Sequence, residues 1–477
     1  MLLFKASLQP RGTILLSQSI PWNFWVVRIM SVTPTVWSSR VGFLMASIGF
    51  AVGLGNIWRF PYIVGENGGS IFIVIYLCCV FFIGVPILMA EIMLGRRGAA
   101  SPEQAIKNVA VESSCSPRWS AVGYLNLLTS FLIVFVYSVV AGWVLYYFYQ
   151  SLMALFLETN LLDQFGSFED LQSDVRTMVF WSFAALAITG SILVFGVQKG
   201  IERAVVALIP AMVVLLVFLV FFNLLNGGMQ EALEFMFIPD FSVINGSVFL
   251  AALSQAFFSI GVAMGGMMIF GAYLPSNVSI AKSALIIVSA DTLIALLAGL
   301  VIFPLVFKNG LMPDSGTGLI FNTLPFGFAQ MPAGYWIAVL FFMLLGFAAI
   351  SSMVGFIEPL VACLINRFDL SRLPATLLVT ASCLCFSTLS ALSMGPWHGL
   401  QLFGRSLAGW LDFVPNSVFL PLGGLMICVF AGWVMNSKFS QAELNMKSSH
   451  AFHFWKSSTK WLVAPAVFII LIAGVLA

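Results

Sequence analysis

Eleven apolar stretches run through this sequence, at residues 41–63, 70–95, 121–149, 179–196, 202–225, 247–273, 281–308, 333–365, 372–391, 412–435 and 461–477. Crossing a bilayer as a helix takes about 20 mostly apolar residues, and nearly all of these stretches are that long or longer. Charged residues make up 8% of the chain and hydrophobic residues 60%. A water-soluble domain carries about 25% charged residues, so these segments have no soluble surface to hide beneath. The 46 phenylalanines outnumber the 21 basic and 19 acidic residues together. With a formal net charge of +2 and no basic stripe, the chain is not a nucleic-acid binder. The expected fold class is an all-α polytopic membrane protein with about 11 transmembrane helices, its main partner the lipid bilayer.

Loop charge sets the expected orientation. With the N-terminus in the cytoplasm, 17 of the 21 basic residues fall inside, and Arg176, Lys308 and Arg405 fall outside. The outer loops instead collect Glu158, Asp163, Glu169, Asp170, Asp174, Glu231, Glu234, Asp240 and Asp314. This is the positive-inside pattern of an inner-membrane protein, and an odd span count puts the C-terminus outside. The expected segments are a cytoplasmic N-terminal piece (1–36), a first half (37–225), a second half (226–435), and an inner loop with a last span (436–477). Residues 1–29 are apolar-rich but lack a clear cleavage site. They read either as a secretory signal or as an extension ahead of a true start at Met30. Most of the seven cysteines lie in or beside apolar stretches without Cys-x-x-Cys spacing, which points to inert thiols. Between spans, 98–120 is expected to hold a short surface helix, and 309–332 a structured outer lid or re-entrant piece.

Two spans carry costly interruptions. In the first, Gly49, Gly53, Gly55, Asn56, Arg59 and Pro61 fall between Ser47 and Pro61. Backbone freed within the bilayer must bond to something, so such breaks survive where they face protein, water or ligand. Close helix packing accounts for the glycines but not for Asn56 or Arg59. The sixth span repeats Ser47–Gly53 as Ser259–Gly265 at five of seven positions. Five spans separate the two, so the halves run through the bilayer in opposite directions, as an inverted repeat requires. Paired interruptions of this kind point to a binding site at mid-membrane.

Ionisable groups within spans are expensive and mark function. Asp291 lies deep in the seventh span and needs a proton, a cation or a positive partner. Asn56, Ser259, Ser351 and Ser352 offer neutral oxygens on other spans. A small alkali cation is one occupant; a protonated carboxylate in a proton-coupled carrier is the rival. Arg59 and Asp412 lie at similar depth and can pair, as an outer lock or a static anchor. Glu91 is expected to bridge to Arg96 or Arg97 at the inner interface, and Glu66 to bond loose backbone N–H groups after Pro61.

The run from Gly49 to Pro61, followed by Glu66-Asn67-Gly68-Gly69, resembles the neurotransmitter:sodium symporter family in its bacterial amino-acid transporter branch. The resemblance extends through Gln255–Ser259, Asp291-Thr292-Leu293 and Ser351-Ser352, and covers roughly residues 37–435. It implies a five-plus-five inverted-repeat core with helices 1 and 6 broken, and sodium-coupled amino-acid import by alternating access. It places the substrate carboxylate beside Ala51, Gly53, Gly55 and the hydroxyl of Tyr137. The side chain would lie among Ile133, Phe258, Met264, Ser352 and Phe356. One sodium ion would be held by Ala51, Asn56, Ser259, Asp291 and the substrate. The second would be held by Gly49, Val52, Ala348, Ser351 and Ser352. Arg59 and Asp412, aided by Gln255 beneath a lid of Phe258 and Tyr137, would form the outer gate, and Trp37 the inner one.

The chain departs from the family pattern in places. Pro34 stands where a basic inner-gate residue is usual, and Gly261 and Ala263 where a serine and a glycine are usual. The Gly261 change is expected to leave room for a larger, apolar or aromatic substrate. Asp291 replaces a common asparagine and supplies fixed negative charge, while Ala295 lacks the carboxylate of other chloride-independent members. Two sodium ions and no chloride requirement are expected. One copy is expected to suffice for transport, with a dimer as the alternative. A channel, a membrane enzyme and a non-transporting sensor are the competing classes. Channels build one pore by oligomeric symmetry, against which two unlike broken spans argue. No Ser–His pairing, carboxylate cluster or phosphate loop supports an enzyme. The sensor differs from the carrier only in flux.

Overall fold

Lipid offers no hydrogen-bond partners, so the backbone satisfies itself, and the computed structural model is accordingly built of helices. It describes residues 36–308, 310, 318–331, 333–446 and 448–476. The readings that concern residues 1–35, including the start at Met30 and Pro34, lie outside the described residues.

Among the described residues, nine helical runs are long and apolar enough to cross a membrane, and a tenth is the pair Arg40–Ala51 and Gly55–Glu66, bent by 50°. We number the crossings in chain order. Span 1 is that pair, span 2 is Ser70–Gly98, span 3 is Pro117–Leu157, span 4 is Val175–Val194 and span 5 is Val197–Asn226. Span 6 consists of two short helices, Gly246–Ser259 and Gly266–Ala272. Span 7 is Ile280–Lys308, span 8 Gly334–Phe368, span 9 Arg372–Met394, span 10 Leu407–Val434 and span 11 Ser449–Leu476. Span 11 thus starts well before residue 461, because Ser449–Ser458 already forms its first turns. The loop after span 2 contains the expected helix, Pro102–Glu112. Between spans 7 and 8, Leu319–Ala329 is a short helix with largely buried side chains.

Burial separates core spans from peripheral ones. The apolar windows of spans 3 and 8 are 72% and 83% buried, against 28% for span 5 and 33% for span 11. Exposed side chains such as Phe180, Val214 and Leu293 are the outward faces of such helices. Spans 1 and 6 are lodged against spans 3 and 8, and glycine makes that approach feasible. A methyl group on Gly53 would lie 2.6 Å from Ser352 Oγ and 3.0 Å from Tyr137 Oη.

Both interruptions are present. In span 1 the helix ends at Ala51, Val52 is extended (φ −77°, ψ 94°), and helix resumes at Gly55. In span 6 it ends at Ser259 and resumes at Gly266, with Gly261, Ala263 and Gly265 at φ +70°, +62° and +76°. Ala263 holds a left-handed conformation that costs an L-residue about 1 kcal/mol or more, so its surroundings must impose it.

Candidate functional site

The two breaks face one another across a cavity of about 550 Å³. Its lining includes all ten residues expected to surround a substrate: Ala51, Gly53, Gly55, Ile133, Tyr137, Phe258, Gly261, Met264, Ser352 and Phe356. The N–H of Leu54, freed by the break, donates to Tyr137 Oη over 3.3 Å. A neutral hydroxyl and loose N–H groups at a helix end suit an anionic group. The opposite wall is apolar, with Ile133, Met264 and Phe356, and the Tyr137 and Phe356 rings meet edge to face at 5.2 Å. This is the usual division of a small-molecule pocket, in which a few polar groups orient and apolar walls select.

Beside the cavity, Asn56, Ser259 and Asp291 converge. Asn56 Nδ2 donates to Asp291 Oδ1 (2.7 Å), and Ser259 Oγ donates to Asp291 Oδ2 (2.6 Å). Asn56 Oδ1 accepts the N–H of Gly53 at 3.3 Å. Spans 1, 6 and 7 thus share one oxygen-rich cluster around a fully buried carboxylate. Across span 1 a second cluster forms. Ser352 Oγ lies 3.2, 3.3 and 3.4 Å from the carbonyl oxygens of Gly49, Phe50 and Val52, and Ser351 Oγ donates to Ala348 O at 3.1 Å. Among the described residues, no three His, Cys, Asp or Glu side chains converge. Neutral oxygens with at most one carboxylate suit a monovalent hard cation better than a transition metal.

Arg59 and Asp412, the pair expected to form an outer gate, do not form an ion pair among the described residues. Arg59 and Asp412 both line the cavity, together with Gln172 and Asn416. The Arg59 guanidinium instead lies 4.2 Å over the Phe258 ring, and Asp412 accepts from Asn416 at 2.8 Å. Gln255 is fully buried, neither of its side-chain polar atoms meets a partner, and it does not line the cavity. On the opposite side Trp37 is buried. Its indole N–H donates to Phe270 O (3.0 Å) and its backbone N–H to Tyr273 O (3.1 Å). Arg59 and Asp412 thus line the cavity, whereas Trp37 is packed away from it against Phe270 and Tyr273.

Two expectations need correction. Glu91 does not bridge to the arginines. It is fully buried and accepts the N–H of Ala263 at 2.9 Å, while Arg96 and Arg97 pair with Glu443 and Glu112. The freed, buried backbone of the span 6 break outcompetes the interface, because an unpaired buried N–H costs more than an exposed ion pair gains. Glu66 takes the hydroxyl of Tyr62 (2.7 Å) rather than loose backbone. Gly261 lines the cavity, and a methyl group there would lie 3.2 Å from the Phe50 ring, which already borders that space. Sequence reasoning missed Phe50, whose ring also abuts Gly266 and Gly355 and packs edge to face on Phe356 (5.2 Å) and Phe270 (6.0 Å). Glu358 stands out in sequence as an ionisable group within a span, but not its partners: the buried carboxylate accepts from Arg372 (2.5 Å) and Tyr273 (2.8 Å). An apolar ring and a pair 14 residues apart leave no periodic signal.

The family model described as "Sodium:neurotransmitter symporter family" matches residues 35–159 and 156–477. An uncharacterized sodium-dependent transporter of Bacillus subtilis (strain 168), YhdH, is 32% identical over 447 residues, covering 92% of this chain and 97% of that protein. An uncharacterized sodium-dependent transporter of Haemophilus influenzae is 29% identical over 445 residues, with the same coverage of 92% and 97%. Among solved structures, MhsT crystallised in complex with L-phenylalanine matches with a TM-score of 0.84 and 36% identity, over 92% of this chain and 99% of that one.

Proposed function

This chain belongs to the sodium:neurotransmitter symporter family, and from that premise we propose that it imports an apolar amino acid, aromatic ones included, coupled to sodium by alternating access. It is an integral membrane protein of a transporter family. The observation that carries the finer reading is the meeting of the span 1 break with the Asn56–Ser259–Asp291 cluster at one cavity. A zwitterion bound there would place its carboxylate at the Leu54 N–H and Tyr137 Oη. From the same position it would complete the oxygen shell of a cation held by Ala51, Asn56, Ser259 and Asp291. Each ligand would then supply charge to the other's site, which is coupling in its thermodynamic sense. The second cation would use Gly49, Val52, Ala348, Ser351 and Ser352 to tie span 1 to span 8.

The fixed charge of Asp291 supports chloride independence. The apolar wall, and the phenylalanine in MhsT, support an apolar side chain. Substrate entry would let Arg59 leave Phe258 and pair with Asp412. Opening at Trp37 would follow. In this reading the N-terminus is cytoplasmic, the C-terminus is outside, and one copy suffices.

The test is uptake of labelled phenylalanine and leucine into proteoliposomes under a sodium gradient. Sodium-dependent accumulation is expected, abolished by Asn56→Ala. Accumulation unchanged by sodium removal would overturn the coupling, and accumulation driven by a proton gradient alone would favour the proton-coupled carrier. Binding without flux would make the chain a sensor.

A further inference from the structure

The segment ahead of span 1 is held by more than Trp37. Residues 36–39, just ahead of the first helix of span 1, are strapped to the start of span 5. Gln198 Nε2 donates to Val36 O at 2.7 Å. Glu202 is 6% exposed, and its carboxylate accepts from Ser38 N (2.9 Å), Ser38 Oγ (2.6 Å) and Ser39 Oγ (2.8 Å). Ser39 is itself the N-cap of helix Arg40–Ala51, its side chain accepting from Gly42 N. A carboxylate at a helix N-terminus is further stabilised by the helix dipole. Gly42 is required for this approach, since a methyl group there would collide with the Glu202 carboxylate. Among the described residues, the groups that the Glu202 carboxylate accepts from here are neutral: the Ser38 N–H and the hydroxyls of Ser38 and Ser39.

Span 5 touches span 1 again seven residues later. Ile209 packs against Gly49, where an added methyl group would lie 2.8 Å from Ile209 Cδ1 and 3.1 Å from Ser351 Cβ. Glu202 and Ile209 are two turns apart and share one face of span 5. That face therefore meets both ends of the first helix of span 1: the strap at one end, and Gly49 of the second oxygen cluster at the other.

We propose that Glu202 is the inner-gate latch of this transporter, holding the first helix of span 1 closed through Ser38 and Ser39. This inference rests on the transport reading above and adds the residue that sets when the inner side opens. Charge-assisted hydrogen bonds are about twice as strong as neutral ones, so the latch holds the closed state until sodium at the Gly49 cluster leaves and span 1 swings out. Glu202 is a positioning residue. It touches neither substrate nor cation.

Hydrogen–deuterium exchange on the purified full-length protein tests this, with peptides covering residues 36–51 as the readout, in sodium and in its absence. Glu202→Gln is expected to speed exchange of that segment about tenfold or more in sodium-free buffer, with exchange in spans 3 and 8 unchanged. Glu202→Asp should recover part of the protection. Gly42→Ala leaves Glu202 intact but displaces its carboxylate, and should speed the same peptides. Wild-type exchange rates at 36–51 in both Glu202→Gln and Gly42→Ala would overturn the latch. So would acceleration spread evenly over all spans, which would make Glu202 a general packing residue. If sodium fails to slow exchange of the wild-type segment, the transport reading fails; the latch is then still decided by the sodium-free comparison.

Discussion

The side-chain amide of Asn56 donates to the carboxylate of Asp291 over 2.7 Å, joining the end of the span 1 break to the middle of span 7. Asn56 also reaches Ser259 Oγ and the backbone carbonyl of Asp291, both at 3.2 Å. One amide thus ties together the three spans on which the first candidate cation site depends.

Replacing Asp291 with asparagine keeps the shape and removes the charge. Hydrogen bonds to charged groups contribute roughly 1.5–3 kcal/mol, and two converge on this carboxylate from Asn56 and Ser259. Asp291→Asn is expected to raise the sodium concentration for half-maximal uptake about tenfold or more. If Asp291 supplies the charge that chloride supplies in relatives, chloride should restore part of the activity in the variant and none in the wild type. Sodium titrations of uptake, with and without chloride, read both effects.

Gly53→Ala places a methyl group 2.6 Å from Ser352 Oγ and 3.0 Å from Tyr137 Oη. Overpacking of this kind costs about 1–3 kcal/mol. Because both contacted groups line the cavity, ligand stabilisation should suffer more than the unliganded fold. The expected result is a small drop in thermal midpoint and loss of the upward shift that substrate gives the wild type.

Phe50→Ala empties the space beside Gly261, Gly266 and Gly355. Removing a buried phenylalanine costs about 3–5 kcal/mol, so the thermal midpoint should fall clearly. The vacated space opens on the cavity, which Phe50 lines. A thermal-shift screen of the twenty amino acids should therefore move in preference toward larger side chains. An unchanged ranking would mean that the ring does not limit substrate size.

Outside the membrane, Asp174 caps span 4. Its carboxylate accepts from Thr177 Oγ1 (2.6 Å) and from the N–H groups of Thr177 (3.2 Å) and Arg176 (3.1 Å). The Thr177 hydroxyl bond, then the backbone bonds, hold its pKa below the ordinary carboxylate value. A depressed folded value means that the cap stabilises above the unfolded value of about 3.9 and fades as pH falls through the folded one. Asp174→Ala is expected to cost about 1 kcal/mol near neutral pH. The gap in thermal midpoint from wild type should narrow as pH is taken from 6 toward 3.

Hydropathy and glycine spacing carried much of the site. Val52 and Val262 lie in the two breaks, which were legible because glycines recur there and, in span 1, because Asn56 and Arg59 are costly in a lipid-facing helix. Asp291 stood out because an isolated carboxylate in hydrocarbon needs a partner, and Asn56 and Ser259 supply two. Glu91 shows the limit. Its neighbours Arg96 and Arg97 suggested a local bridge, but its partner, the N–H of Ala263, is 172 residues away.

By itself, the amino-acid order determined that this chain is a bundle of membrane helices and where two of its apolar stretches give way. Those features follow from local physics: side-chain transfer to lipid, and backbone that must bond itself. Only the tertiary structure decided that the Phe50 ring borders the space at Gly261, that Arg59 rests on Phe258 rather than on Asp412, and that Glu202 grips Ser38 and Ser39. Each of these is a contest between distant groups for one space or one hydrogen bond, and its outcome depends on distances that no local pattern encodes.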